Sequence, residues 1–228
     1  MPLRSLATLP RRLRRALIQR TLERHGETSG HVGPEEIGIE DAEYHEYEPS
    51  GWRALRSALR GIEIGPEDGF VDIGCGKGRV LLQATRRPFG RVLGVEFSPR
   101  LAAQARELVA SSKRQRCRSV EVIVADATRW EVPDDVTIAY AYNALSGESL
   151  QQMLDRLAES AKRSPRRLLF VYANPEHERE VLAHPALELL ERRGRGRWRA
   201  DDPRWVSIFE VKGRPRRNTL SSIQLPVA

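Results

Sequence analysis

From Gly69 to Ala173, short apolar runs alternate with segments of helical spacing. A chain patterned in this way hides its apolar strands in a parallel sheet covered by helices on both faces. The spacing predicts strands over Gly69–Ile73, Arg91–Phe97, Val120–Ala125, Val136–Tyr142 and Arg167–Ala173. Helices are predicted over Trp52–Leu59, Val80–Thr85, Pro99–Ala110, Glu148–Ala161 and Glu176–Leu182. Two last strands, Leu187–Glu191 and Trp205–Val211, have no helical segment between them. They are therefore expected to pair as an antiparallel hairpin at the sheet edge. The expectation is an α/β fold with seven strands, mostly parallel.

The stretch Val71-Asp72-Ile73-Gly74-Cys75-Gly76-Lys77-Gly78-Arg79 carries the most chemistry. An apolar strand runs into a glycine-rich turn that opens a helix, so a ligand can approach the backbone closely. The spacing Gly-x-Gly-x-Gly differs from the Gly-x-Gly-x-x-Gly dinucleotide fingerprint. Asp72 stands at the end of a buried strand, where a carboxylate without a partner is costly. Glu96 ends the next strand, 22 residues after Gly74, placed to accept hydrogen bonds from ribose hydroxyls. Cys75 reads as a small packed side chain of the turn. Lys77 and Arg79 read as solvated or bonded to a carbonyl, with no chemistry assigned.

These residues resemble the motif of the class I S-adenosylmethionine-dependent methyltransferases, over roughly residues 50–212. The resemblance implies a Rossmann-like sheet and S-adenosyl-L-methionine as cofactor. It implies that Asp72 holds the cationic methionine end, that Gly74, Cys75, Gly76 and Gly78 pass beneath the ligand, and that Glu96 takes the ribose diol with Phe97 beside it. Asp126 and Ala127, closing the third strand, match the positions that meet the adenine. At the end of the fourth strand, Tyr142 and Asn143 match residues that face the transferred methyl group. Amine-modifying members carry an asparagine followed by proline there; here Ala144 follows Asn143. Upstream, Tyr44, Tyr47, Pro49 and Ser50 resemble a segment of small bacterial proteins similar to non-SET lysine methyltransferases, where it folds over the cofactor. The implied acceptor is a protein lysine or other amine first, a small molecule next and RNA third. A cofactor-binding protein without methyl transfer is a further alternative. His45 and His177 are the histidines to weigh as general bases, and Asn174-Pro175 reads as a turn near the acceptor side.

Charge divides the chain. The net charge is +7, yet residues 1–30 hold seven Arg against two Glu, and residues 191–228 hold ten Lys/Arg against four Asp/Glu. The ends are thus +5 and +6, leaving 7 − 5 − 6 = −4 for the middle. By composition the middle offers no basic groove. Leu6, Leu9, Leu13 and Leu17 recur among arginines, so residues 1–25 read as a basic amphipathic helix that packs on the domain or meets an anionic partner. The expected organisation is an arm and lid over 1–50, a catalytic domain over 51–212 and a basic tail over 213–228. No apolar run approaches the roughly 18–20 residues of a transmembrane segment. Two cysteines without a ligand cluster suggest neither disulfides nor a metal site, hence a cytoplasmic protein.

Overall fold

A computed structural model describes residue 50, residues 54–194 and residues 205–213. Its first helix is α1 (Ala54–Ala58), within the expected span. There follow β1 (Gly69–Ile73), α2 (Arg79–Ala84), β2 (Arg91–Glu96), α3 (Pro99–Ala110), β3 (Ser119–Val124) and β4 (Val136–Tyr142). The chain continues through α4 (Gly147–Arg163), β5 (Leu169–Ala173), α5 (Glu178–Ala183), β6 (Leu187–Arg193) and β7 (Val206–Val211). The strands form one seven-stranded sheet in the order β3-β2-β1-β4-β5-β7-β6. The five strands from β3 to β5 are parallel, whereas β7 runs antiparallel to both β5 and β6. The edge hairpin is present, with β7 as its inner strand. Burial explains that order: Val206, Ile208, Phe209 and Val211 of β7 are buried, while β6 (LELLERR) is mostly half-buried or exposed and tolerates the edge.

The helices divide between the two faces. On one face, α1, α2 and α3 set Leu55, Leu59, Val80, Leu81, Ala102, Ala105 and Val109 against Phe70, Val92, Ile138 and Val171. On the other, Leu150, Met153, Leu154, Leu157 and Ala161 recur along α4 at three- and four-residue steps and bury against Val71, Ile73, Ala139 and Phe170. Helix α3 begins where a serine and a proline prescribe it. Ser98 caps with its side chain toward the Leu101 N–H, and Pro99 fills the first helical position.

Several elements differ in length from their sequence pattern. Strand β6 runs on to Arg193, two residues past its expected end at Glu191, and so takes in the charged Arg192 and Arg193. Distant partners neutralise those charges. Arg192 makes a bidentate pair with the buried Glu178 carboxylate at 2.8 and 2.9 Å, and Arg193 donates to the Ala58 and Arg60 carbonyls. Helix α4 extends two residues past Ala161, and Arg163 there pairs with Glu131 and Asp134. The arm (1–25), the lid residues Tyr44, Tyr47 and Pro49, His45, Trp52 and the tail from residue 214 lie outside the described residues. No helix among the described residues is long and apolar enough to cross a membrane.

Candidate functional site

The described candidate residues gather at the carboxyl ends of the parallel strands, where an open α/β sheet places its ligands. After β1, the Gly74 and Cys75 N–H groups both donate to the Val95 carbonyl, at 2.9 and 3.0 Å. This ties the glycine turn to the end of β2. Gly74 has φ 71° and Gly78 φ 82°, conformations that side chains resist. Space demands glycine as well: a Cβ on Gly74 would sit 2.8 Å from the Ala144 Cβ, and one on Gly78 3.0 Å from Ala105. The glycine turn therefore touches the segment carrying Asn143. Gly74→Ala is expected to destabilise the fold by roughly 1–2 kcal/mol through its positive φ alone. It should also weaken S-adenosylhomocysteine binding as the clash moves the turn; an unchanged melting temperature and affinity would contradict this close approach.

Glu96 reaches back to hold the same turn. Its Oε2 accepts from the Gly76 N–H at 2.8 Å and its Oε1 from the Ser98 N–H at 2.9 Å. Burial raises its pKa, opposed by the N–H groups of Ser98, Gly76 and Phe97. Asp72 is different. Its carboxylate is buried, at 3% exposure, between register partners Gly94 and Tyr140, and no described residue offers it a hydrogen bond or an ion pair. Burial, then the Glu96 charge, push its pKa well above the usual carboxylate range. Burial and the same two acids push the Cys75 thiol up, so it stays protonated and is no nucleophile. An isolated buried carboxylate of this kind fits one ligand class above others, a cation such as an α-ammonium group.

Beyond Glu96 the surface becomes apolar and open. Phe97 and Val124, at the ends of β2 and β3, are each 41% exposed. Two large apolar side chains side by side at a sheet's ligand-binding end suit a flat aromatic base. Asp126 follows; its Oδ1 accepts from the Thr128 N–H and hydroxyl at 2.9 and 2.7 Å, which shapes the turn, and Ala127 is half-buried beside it.

Just past the end of β4, Asn143 is buried and held in a left-handed conformation at φ 42°. The Tyr172 hydroxyl, on the neighbouring strand, donates to its Oδ1 at 2.9 Å. That hydroxyl itself accepts from the His177 backbone N–H. With the phenol's acceptor side engaged, its proton goes to Asn143, so the Asn143 oxygen faces Tyr172. Asn174 ends β5 in the same left-handed conformation, φ 49°, with its amide N–H on Glu176 at 2.9 Å. Tyr142 is half-buried next to Asn143. His177 pairs through Nδ1 with Glu180 at 3.0 Å, and Arg79 donates to the Ser50 carbonyl at 2.9 Å. Tyr172 had no sequence signal of its own; it becomes visible only when β4 and β5 are set in register.

Residues 70–164 match the family model described as a methyltransferase domain. The chain carries an S-adenosylmethionine-dependent methyltransferase domain of class I. It is an enzyme that uses S-adenosylmethionine to transfer a methyl group. No curated protein sequence matches it. Among solved structures, it is similar to a putative methyltransferase of Haloferax volcanii, seen in complex with the Trm112 activator. That likeness has a TM-score of 0.52 and 17% identity, over 71% of this chain and 90% of the other. The N-methyltransferase NodS of Bradyrhizobium japonicum follows with a TM-score of 0.52 and 13% identity, over 70% and 93%. An RNA methyltransferase of Salinibacter ruber, in complex with S-adenosyl-L-homocysteine, has a TM-score of 0.51 and 18% identity, over 75% and 98%. At such identities these likenesses are of fold. The methyltransferase shares with them its architecture.

Proposed function

We propose that this methyltransferase modifies an amine, with a protein lysine or similar amine ahead of a small-molecule acceptor. The observation that carries the reading is the buried Asn143 amide, whose oxygen is fixed by Tyr172 at the end of β4, against the glycine turn. A carbonyl oxygen has two lone pairs, and Tyr172 occupies one. The other accepts a hydrogen from the acceptor nitrogen and aims that nitrogen's lone pair. Asp72 receives the ammonium of the cofactor's methionine end, and Glu96 the ribose hydroxyls. Phe97, Ala127 and Asp126 take the adenine, while Gly74, Cys75, Gly76 and Gly78 run beneath. Tyr47, outside the described residues, is assigned to the cover over this site. The cofactor supplies a methyl group on a sulfonium, which leaves as a neutral thioether. Orientation alone contributes roughly 7–11 kcal/mol to such a displacement, so a strong catalytic base is not needed. The two unbridged cysteines fit a cytoplasmic setting.

Sinefungin tests the role of Asn143 without knowing the acceptor, because it carries a primary amine where the cofactor carries its methylsulfonium. By calorimetry it should bind roughly tenfold tighter than S-adenosylhomocysteine, the worth of one charge-assisted hydrogen bond. Asn143→Ala should abolish that advantage and leave S-adenosylhomocysteine affinity unchanged. Equal affinity for the two ligands in the parent protein would refute the amine reading. Tritiated methyl transfer into fractionated extract then identifies the acceptor class.

A further inference from the structure

The middle of the chain is net acidic, yet folding gathers its cations on one face. The loop from α2 to β2 (residues 85–90) and the loop from α3 to β3 (residues 111–118) lie side by side. Both precede parallel strands, so they sit at the end of the sheet opposite the glycine turn. The N–H groups of Arg116 and Cys117 both donate to the Thr85 carbonyl, at 2.7 and 3.2 Å, and Arg118 N–H donates to the Phe89 carbonyl at 3.0 Å. Together these loops hold Arg86, Arg87, Lys113, Arg114, Arg116 and Arg118, and no Asp or Glu. Lys113, Arg114, Arg116 and Arg118 are exposed; Arg86 and Arg87 are half-buried. None of the six pairs with a described carboxylate, whereas neighbouring Arg91 pairs with Asp135. Arg56, from α1, adds a seventh cation close to Arg87. Burial, then the Arg56 charge, hold the Arg87 pKa below its ordinary value. The fold thus keeps like charges together against their repulsion, where dispersed surface charge would avoid it.

We propose that this face binds the phosphodiester backbone of a nucleic acid, RNA or DNA, without reading its bases. Three observations favour that partner. The face is rich in arginine, whose forked donors match phosphate oxygens. Among the described residues the exposed large apolar side chains are Phe97, Val124, Leu182 and Leu190, and none of them lies in these loops. A membrane-inserting face needs such side chains, and so does the centre of a protein interface. Without an exposed aromatic among the described residues of these loops there is also no stacking platform for bases, which leaves phosphate contacts as the source of affinity. The proposal is independent of the acceptor assigned above, since the face lies away from the cofactor end.

Binding of the full chain to a labelled single strand of about twenty nucleotides, RNA or DNA, measured across a salt series, tests it. The triple variant R114Q/R116Q/R118Q should bind at least about tenfold more weakly at low salt, and its log–log salt slope should fall by about 2. Its affinity for S-adenosylhomocysteine should match the parent, which shows that the variant is folded. Cys117 supplies a readout that needs no mutation. Cys75 is buried, so alkylation of the native protein reports on half-buried Cys117 in the middle of the face, and bound nucleic acid should slow it. Equal affinity for RNA and DNA supports contact with phosphate alone, and tighter RNA binding supports contact with phosphate plus the 2′-hydroxyl. The proposal fails if the variant keeps the parent's affinity and slope, because the basic ends of the chain would then be the binding elements. It also fails if nucleic acid leaves Cys117 alkylation unchanged, or if anionic phosphatidylserine vesicles protect Cys117 where nucleic acid does not.

Discussion

Asp72→Asn is expected to leave a more stable apoprotein that has lost most of its affinity for S-adenosylhomocysteine. The two effects have one cause. Asp72 is buried without a hydrogen-bond or ion-pair partner among the described residues, and both burial and Glu96 raise its pKa well above the usual range. A carboxyl group with a raised folded-state pKa binds more protons in the folded than in the unfolded chain, between the two pKa values. Apoprotein stability therefore falls as pH rises from the ordinary carboxylate range to the raised value, and levels off above it. Asparagine keeps the shape and removes the charge, which should return roughly 1–3 kcal/mol. In the proposed role the ligand's ammonium needs the ionised form, so S-adenosylhomocysteine affinity should rise with pH over that same window and stay high above it. Loss of the charged partner should weaken binding roughly 10–100-fold. Thermal melts across pH and calorimetry at neutral pH measure both. If the asparagine variant bound S-adenosylhomocysteine like the parent, Asp72 would have no place in the site.

The parts of this enzyme that were legible in its sequence are those whose partners are close in the chain or stand at a strand end. Gly74, Gly76 and Gly78 announce a turn, and Asp72 and Glu96 each close an apolar run, so strand-end carboxylates flank the turn in any parallel arrangement. The helix from Pro99 to Ala110 and the strand from Val136 to Tyr142 were bounded correctly because Pro99 and the flanking polar residues mark their limits. Long-range neutralisation was not legible. Arg192 and Arg193 belong to β6 only because Glu178 and the Ala58 and Arg60 carbonyls receive them, 14 and more than a hundred residues away. The bond from Tyr172 to Asn143 depends on the β4–β5 register, in which Tyr142 pairs with Ala173. The cationic loops needed the β2–β3 pairing to bring residue 116 onto residue 85. Averaged along the chain, their charge vanished into an acidic middle.

Glu96 tests whether the two acids act as one unit. Its carboxylate receives the Gly76 and Ser98 N–H groups, so it anchors the turn with no ligand bound. Glu96→Ala removes that anchor and strands two buried donors, at a cost of roughly 1–3 kcal/mol each. The variant should therefore melt earlier and bind S-adenosylhomocysteine at least about 100-fold more weakly, the sum of two lost charge-assisted bonds. Glu96→Gln makes the finer distinction. One amide oxygen can still serve one of the two donors, while the NH2 group cannot serve the other. The negative charge that raises the Asp72 pKa is also gone. The pH at which ligand affinity rises should consequently move downward in the glutamine variant, toward the ordinary carboxylate range, even as the plateau affinity falls. A lower plateau with an unmoved inflection would mean that Asp72 feels burial alone. A shifted inflection that disappears when Asp72→Asn is added would show that the charge on Glu96 tunes the group which grips the cofactor's ammonium.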